Sequence, residues 1–201
     1  MRRLQVRLAL LAVAALLVLA AVAPATAAAR THRLGAGTAT LSLDPTETGL
    51  FLQAGIPPYP IFPARISWGT SSAVVRMPIT GGTWTTGAGA HGTFLLRGGL
   101  AYVAQGTTNF LILNLKAWHV GVNTSNGISV SANGTRTPNF FDDKLPVSSI
   151  VTIHGQKFAK VTDLPLFFNA TSVSAINGEF GSAPNPGETF GLITVLARLK
   201  S

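Results

Sequence analysis

Four histidines, seven carboxylates, three tryptophans and two tyrosines carry most of the chemistry this 201-residue chain can offer, and no cysteine accompanies them. His32, His91, His119 and His154 form no H-x-H or H-x-x-x-H pair, the spacings that bring two imidazoles to one metal. The acids are Asp44, Glu47, Asp142, Asp143, Asp163, Glu179 and Glu188. Glycoside hydrolysis needs two carboxyls facing one substrate. Asp142 and Asp143 are adjacent and point apart in an extended segment, so either one with Glu188 is the pairing open to a cell-wall polymer hydrolase. Asn139, Asp142 and Asp143 offer the oxygens calcium takes, at a spacing that matches no calcium loop. There is no G-x-S-x-G elbow. Gly81-Gly82 and Gly98-Gly99 lack the strand-to-helix setting of a phosphate loop and read as bulges or bends in strands. The chain therefore predicts no catalytic residue, no metal site and no required cofactor.

Aromatic side chains with a polar tip serve both cores and ligand sites. Trp84 lies in the turn-rich run Gly81 to Gly89 and is expected to be exposed, while Trp118 stands beside His119 at a strand end. His91 and His119 fall at neighbouring ends of two strands that read as partners. The candidate ligand-binding residues are Tyr59, Trp84, His91, Tyr102, Trp118 and His119.

The elements that must position them are mostly strands. Short apolar runs separated by Gly, Thr, Ser and Asn predict a mainly β chain, folded as a two-layer sandwich with two short helices. Gly92 to Ala104 and Asn109 to Gly121 form one hairpin, with Phe110 to Leu115 apolar on both faces and so central in its sheet. Val151 to His154 and Lys157 to Thr162 form a second, turning at Gly155-Gln156, with Gly155 supplying the backbone freedom. Asp44-Pro45-Thr46-Glu47 opens a helix over about 45–54: an acidic cap, proline at the first helical position, and Glu47 reaching back to the free amides. A second helix over about 170–180 is entered from Asn169 or Thr171 and closed at Gly178 or Gly181. Ile56 to Pro63, rich in proline, suits a sheet edge. Asn133 to Pro146 is the longest stretch without a strand pattern and is expected to be a loop.

Compartment is written at the front. Arg2, Arg3 and Arg7, an Ala/Leu/Val run from Leu8 to Val22, Pro24 and a small-residue tail ending at Ala29 have the pattern of a secretory signal peptide, with A-x-A sites after Ala27 and Ala29. Residues 30–201 then form one secreted domain, with no membrane span once the leader is cut. The leader holds three of the fifteen Lys and Arg, which leaves twelve against seven acids. Those twelve are scattered, whereas nucleic-acid binding needs a basic face. Export without cysteine excludes disulfides and suits a bacterial exterior.

Met77-Pro-Ile-Thr-Gly-Gly82, Gly92 to Leu100 and Asn169 to Gly181 followed by a last strand resemble secreted bacterial proteins of unknown function, which in turn are similar in pattern to HtaA-type haem-acquisition domains. The resemblance implies a β-sandwich-like fold with two short helices. It also implies haem held by a tyrosine near the first helix and assisted by a histidine after the strand motif; Tyr59 follows the first helix, and Gly98-Gly99-Leu100 occupies the place of the histidine. Together these features predict a non-enzymatic binding or surface protein acting on a cell-envelope component or a small apolar ligand. Haem or another flat apolar molecule between Tyr59, Trp84, Tyr102 and Trp118, self-association as a structural protein, and wall-polymer hydrolysis are the alternatives.

Overall fold

A computed structural model of the chain describes residues 29–70, 72–87, 90–120, 127–143, 148–182 and 184–200. The signal peptide read over Met1 to Ala29 lies outside them except for its last residue. In chain order the elements are β1 (Thr31–Leu43), α1 (Pro45–Gln53), β2 (Pro58–Ile61), β3 (Arg65–Trp68), β4 (Ala73–Thr85), β5 (His91–Leu96), β6 (Gly99–Val103), β7 (Phe110–Val120), β8 (Gly127–Ala132), β9 (Thr135–Asp143), β10 (Ser148–Ile153), β11 (Gln156–Phe168), α2 (Ala170–Phe180) and β12 (Thr189–Leu199). The chain is mainly β with two short helices, as its patterning predicts.

The two-layer arrangement takes a different form. All the described strands belong to one sheet, and eight of them close into a barrel in the order β1, β4, β5, β7, β8, β9, β11, β12 and back to β1. Closure comes from β7, which takes β5 and β6 on one edge and β8 on the other. A strand apolar on both faces is thus central, and the pairing at its second edge joins what would have been two sheet borders. Leu111, Leu113 and Leu115 of β7 point into the core with Leu41 of β1, Met77 of β4 and Val195 of β12.

β2, β3, β6 and β10 extend the ring. β6 continues the line of β5 along β7, and the break between them falls at Gly98, whose φ of 97° suits glycine. A Cβ there would come within 2.7 Å of Ala64 N and 2.8 Å of Ile61 O, so the β2–β3 connection packs against bare backbone. The proline-rich run forms the edge strand β2, paired only with β6. β10 and β11 turn through His154 and Gly155, both at positive φ (47° and 76°), with Ile153 opposite Gln156. That is the two-residue primed turn whose twist matches a hairpin.

The segment Asn133 to Pro146, whose last three residues lie outside the described ones, departs from the loop expected of it as far as Asp143. Thr135–Asp143 is β9, a barrel strand with Phe140 and Phe141 fully buried. Asn139 sits at φ 50°, and the β8–β9 register slips between Ile128 and Val130. The irregularity breaks the period-two alternation that marks a strand in a sequence.

Both helices begin as expected. Asp44 Oδ1 accepts from Thr46 N (2.9 Å) and Glu47 N (3.2 Å). The backbone N–H of Asp44 donates to Phe190 O instead of to Glu47, which leaves the Glu47 carboxyl available elsewhere. At α2 the capping box is complete: Asn169 Oδ1 accepts from Thr171 N and Ser172 N, and Ser172 Oγ accepts from Asn169 N. Gly181, in the left-handed conformation, ends the helix.

Candidate functional site

The six residues singled out by sequence do not converge. Trp84 is buried, not exposed: after the bulge at Gly81 it faces inward opposite Gly92, where a Cβ would come within 2.8 Å of its ring. Phe94 stands between Trp84 and Trp118, with ring centroids 5.5 and 5.6 Å away. Trp118 is itself buried, its indole N–H donating to Asp143 Oδ2 at 2.7 Å. Tyr102 is buried on β6, 5.1 Å from the Phe51 ring, and burial raises its hydroxyl pKa. Tyr59 is exposed on β2 and points away from its buried neighbour Pro58. His91 and His119 lie on adjacent strands, and His119 Nδ1 is 3.1 Å from Thr93 Oγ1. Both are exposed, on the face of the sheet opposite buried Trp118. A cleft lined by Tyr59, Trp84, Tyr102 and Trp118 therefore does not form, because three of the four are core side chains.

The carboxylates are regrouped as well. Asp142 and Asp143 line one shallow cleft with Phe168, Asn169 and Gly187, whereas Glu188 lines another. Asn169 Nδ2 donates to Asn139 O (2.7 Å) and Asp142 Oδ1 (3.0 Å), so the oxygens considered for calcium brace the start of α2. Among the described residues no group of three or more His, Asp or Glu is arranged to hold a metal.

A groove unforeseen from the sequence holds the pair that does meet. It lies between α1 and the segment leading into β12, with a volume of about 310 Å³. Leu50, Phe51, Ala54, Ile56 and Pro184 supply apolar surface, while Glu47, Glu188, Asn185 and Ser182 supply the polar groups. Phe51 and Glu47 also line a small pocket beneath it, closed by Tyr102, Pro58 and Phe190. A mainly apolar cavity with a few convergent polar groups is the usual form of a small-molecule site.

The two carboxyls differ. Glu47 is 8% exposed, and its pKa is raised, first by burial and then by the negative charges of Glu188 and Asp44. Glu188 is tied down locally: Oε1 accepts from Asn185 Nδ2 (2.8 Å) and Oε2 from Asn185 N (2.7 Å), and these bonds lower its pKa. No Lys, Arg or His is among the described residues lining the groove. Capping accounted for Glu47 too completely for its carboxyl to be considered.

The fold class is thus a closed eight-stranded antiparallel barrel with flanking strands and two short helices. Among solved structures it is similar to the haem-binding protein HtaB from Corynebacterium glutamicum, with a TM-score of 0.50 and 13% identity over 86% of this chain and 97% of that one. The C-terminal domain of HtaA from the same organism aligns with a TM-score of 0.45 and 10% identity, covering 83% of this chain and 99% of that one. The likeness to HtaB is one of fold, and it agrees with the resemblance seen in the sequence. No protein-family model matches the chain, and no curated protein matches it significantly.

Proposed function

We propose that this is a non-enzymatic binding protein of the bacterial exterior, and that the groove beside α1 holds a small apolar ligand bearing a positive charge. One observation carries the reading: two carboxylates flank apolar walls with no cation among the described lining residues. The Glu188 anion is held by Asn185, whereas burial and the neighbouring carboxylates disfavour the Glu47 anion, and no described lining residue offsets that cost. A ligand with an apolar body and an ammonium or amidinium group would supply the compensation. Binding is favoured over hydrolysis because both oxygens of Glu188 are occupied by Asn185, which makes it a poor base or nucleophile. Export follows from the leader at Met1 to Ala29, and the intact mass of protein collected from the medium tests it.

Tryptamine and indole-3-acetate share a flat body and differ in charge, so they are suitable probes. Amide NMR shifts at Leu50, Ala54 and Asn185 are expected to move with tryptamine and not with indole-3-acetate, and the Glu47→Gln, Glu188→Gln double variant should weaken binding about tenfold. Absence of tryptamine shifts at these positions overturns the groove as the site.

Haem is the second reading, favoured by the likeness of fold to HtaB. Among the described residues the groove lining contains no Tyr, His, Met or Cys, the side chains that ligate haem iron, and its carboxylates would oppose the propionates. Tyr59 is the exposed tyrosine to which the resemblance points. A haemin titration separates the readings: a Soret shift lost in Tyr59→Phe establishes haem, and no shift is expected if the groove is the site.

A further inference from the structure

At the other end of β1 lies a second concavity, and its chemistry is the reverse of the groove's. The pairing of Leu43 with Gly191 places the groove side at the end of β1, and the pairing of Leu34 with Leu199 marks the opposite end. The thirteen residues of β1, at about 3.3 Å each, separate the two by on the order of 30–40 Å. The cleft there has a volume of about 800 Å³ and is lined by His32, Gly155, Gln156, Lys157, Arg198, Leu199 and Lys200. It contains three fixed cations, an imidazole and a side-chain amide, and no carboxylate is among the described residues that line it.

The strands explain how the cations gather. His32, Lys157 and Leu199 continue the inward rows of Leu34, Ala159 and Ala197 past the point where the core stops, so they stand at the rim of the barrel. Arg198 and Lys200 come from the neighbouring row. Both pack over Gly35: a Cβ on that glycine would meet Lys200 Cε at 3.4 Å and Arg198 Nε at 3.5 Å. Two like charges on adjacent long side chains would separate if nothing else mattered. Here the missing side chain of Gly35, the bond from Lys200 N to Arg33 O (2.8 Å) and the tight turn carrying Lys157 hold them on one small area.

We infer that this rim cleft is an anion site for a multiply charged phosphate ester or polyphosphate. The guanidinium of Arg198 offers a planar fork to phosphate oxygens, and the lysines act as point charges beside it. Adjacent phosphate groups concentrate several charges within the short span that Arg198 and Lys200 share. The groove reading neither supports nor requires this site, because the two share no residue.

Calorimetric titration of the purified protein with inorganic pyrophosphate at low salt tests the inference. Saturable one-to-one binding is expected, weakened about tenfold in Arg198→Gln, Lys200→Gln and left within about twofold in Lys116→Gln, an exposed cation on β7 outside the cleft. Lys200→Gln alone, at an exposed position just past β12, is expected to weaken binding about threefold and guards against damage to β12. Affinity should fall steeply with added salt. No saturation in the millimolar range, or equal loss in Lys116→Gln, overturns the site. Citrate binding as tightly as pyrophosphate overturns the assignment to phosphate.

Discussion

Asp143 shows most directly what the barrel imposes on a single side chain. One oxygen accepts from the Trp118 indole at 2.7 Å, and the other is buried without a hydrogen-bond partner among the described residues. Burial pushes its pKa up from 3.8 to about 6, against the lowering effect of the indole bond and with a further rise from Asp142. A folded-state pKa above the unfolded one means that the native state binds the proton more tightly. The stability this confers is present below about pH 4 and is lost as pH rises through about 6. Asp143→Asn keeps an acceptor for the indole and cannot ionise. In urea titrations it should be more stable than the parent by about 1–2 kcal/mol at pH 7.5, a figure discounted for partial exposure, with the gap closing near pH 4. At the groove, Glu188→Gln removes a neighbouring charge, so the Glu47 pKa should fall towards its ordinary value, as carboxyl carbon shifts would report. Sequence inspection singled out Trp118 and Asp143 separately, one for a ligand and the other for calcium. Their bond depends on β7, β8 and β9 lying side by side, which no local pattern encodes.

Among the elements, α2 rests on one residue. Asn169 caps the helix with its carbonyl oxygen, and its amide ties the helix start to Asn139 and Asp142 of β9. Asn169→Ala should cost about 1–2 kcal/mol for the cap and more for the lost ties, measured as a lower urea midpoint with unchanged slope. Gly98→Ala forces a positive φ on a residue with a Cβ and drives that atom against Ala64 and Ile61. About 2 kcal/mol or more of destabilisation is expected, read in the same way. Helix starts were legible because capping is local chemistry: Asp44-Pro45 and Asn169 act within one turn. Hairpins were legible for the same reason, although the β10–β11 turn falls at His154-Gly155, one residue before the expected Gly155-Gln156, because His154 takes up the positive φ that the reading gave to glycine alone. β9 was hidden because Asn139 breaks its alternation, and Trp84 because the Gly81 bulge reorients it. Patterns of period two report a strand only while the strand is regular.

At the scale of the whole molecule, closure was the feature beyond reach of local reading. A sandwich and a barrel can share strands, turns and alternation, and they differ only in whether the last border finds a partner. Here β12, the final strand, lies between β1 and β11, pairing with both along most of its length. A chain shortened to end at Asn185 lacks that strand and is expected to show no cooperative urea transition by circular dichroism. The position of β12 also sets a timetable. The first strand of the ring is made early, yet one of its two neighbours is the last strand of the ring to emerge, so the ring cannot shut before that strand has been made. Until the stretch from Thr189 to Leu199 is released, the chain stays open along that seam, a state in which it can still be threaded end-first through a narrow passage.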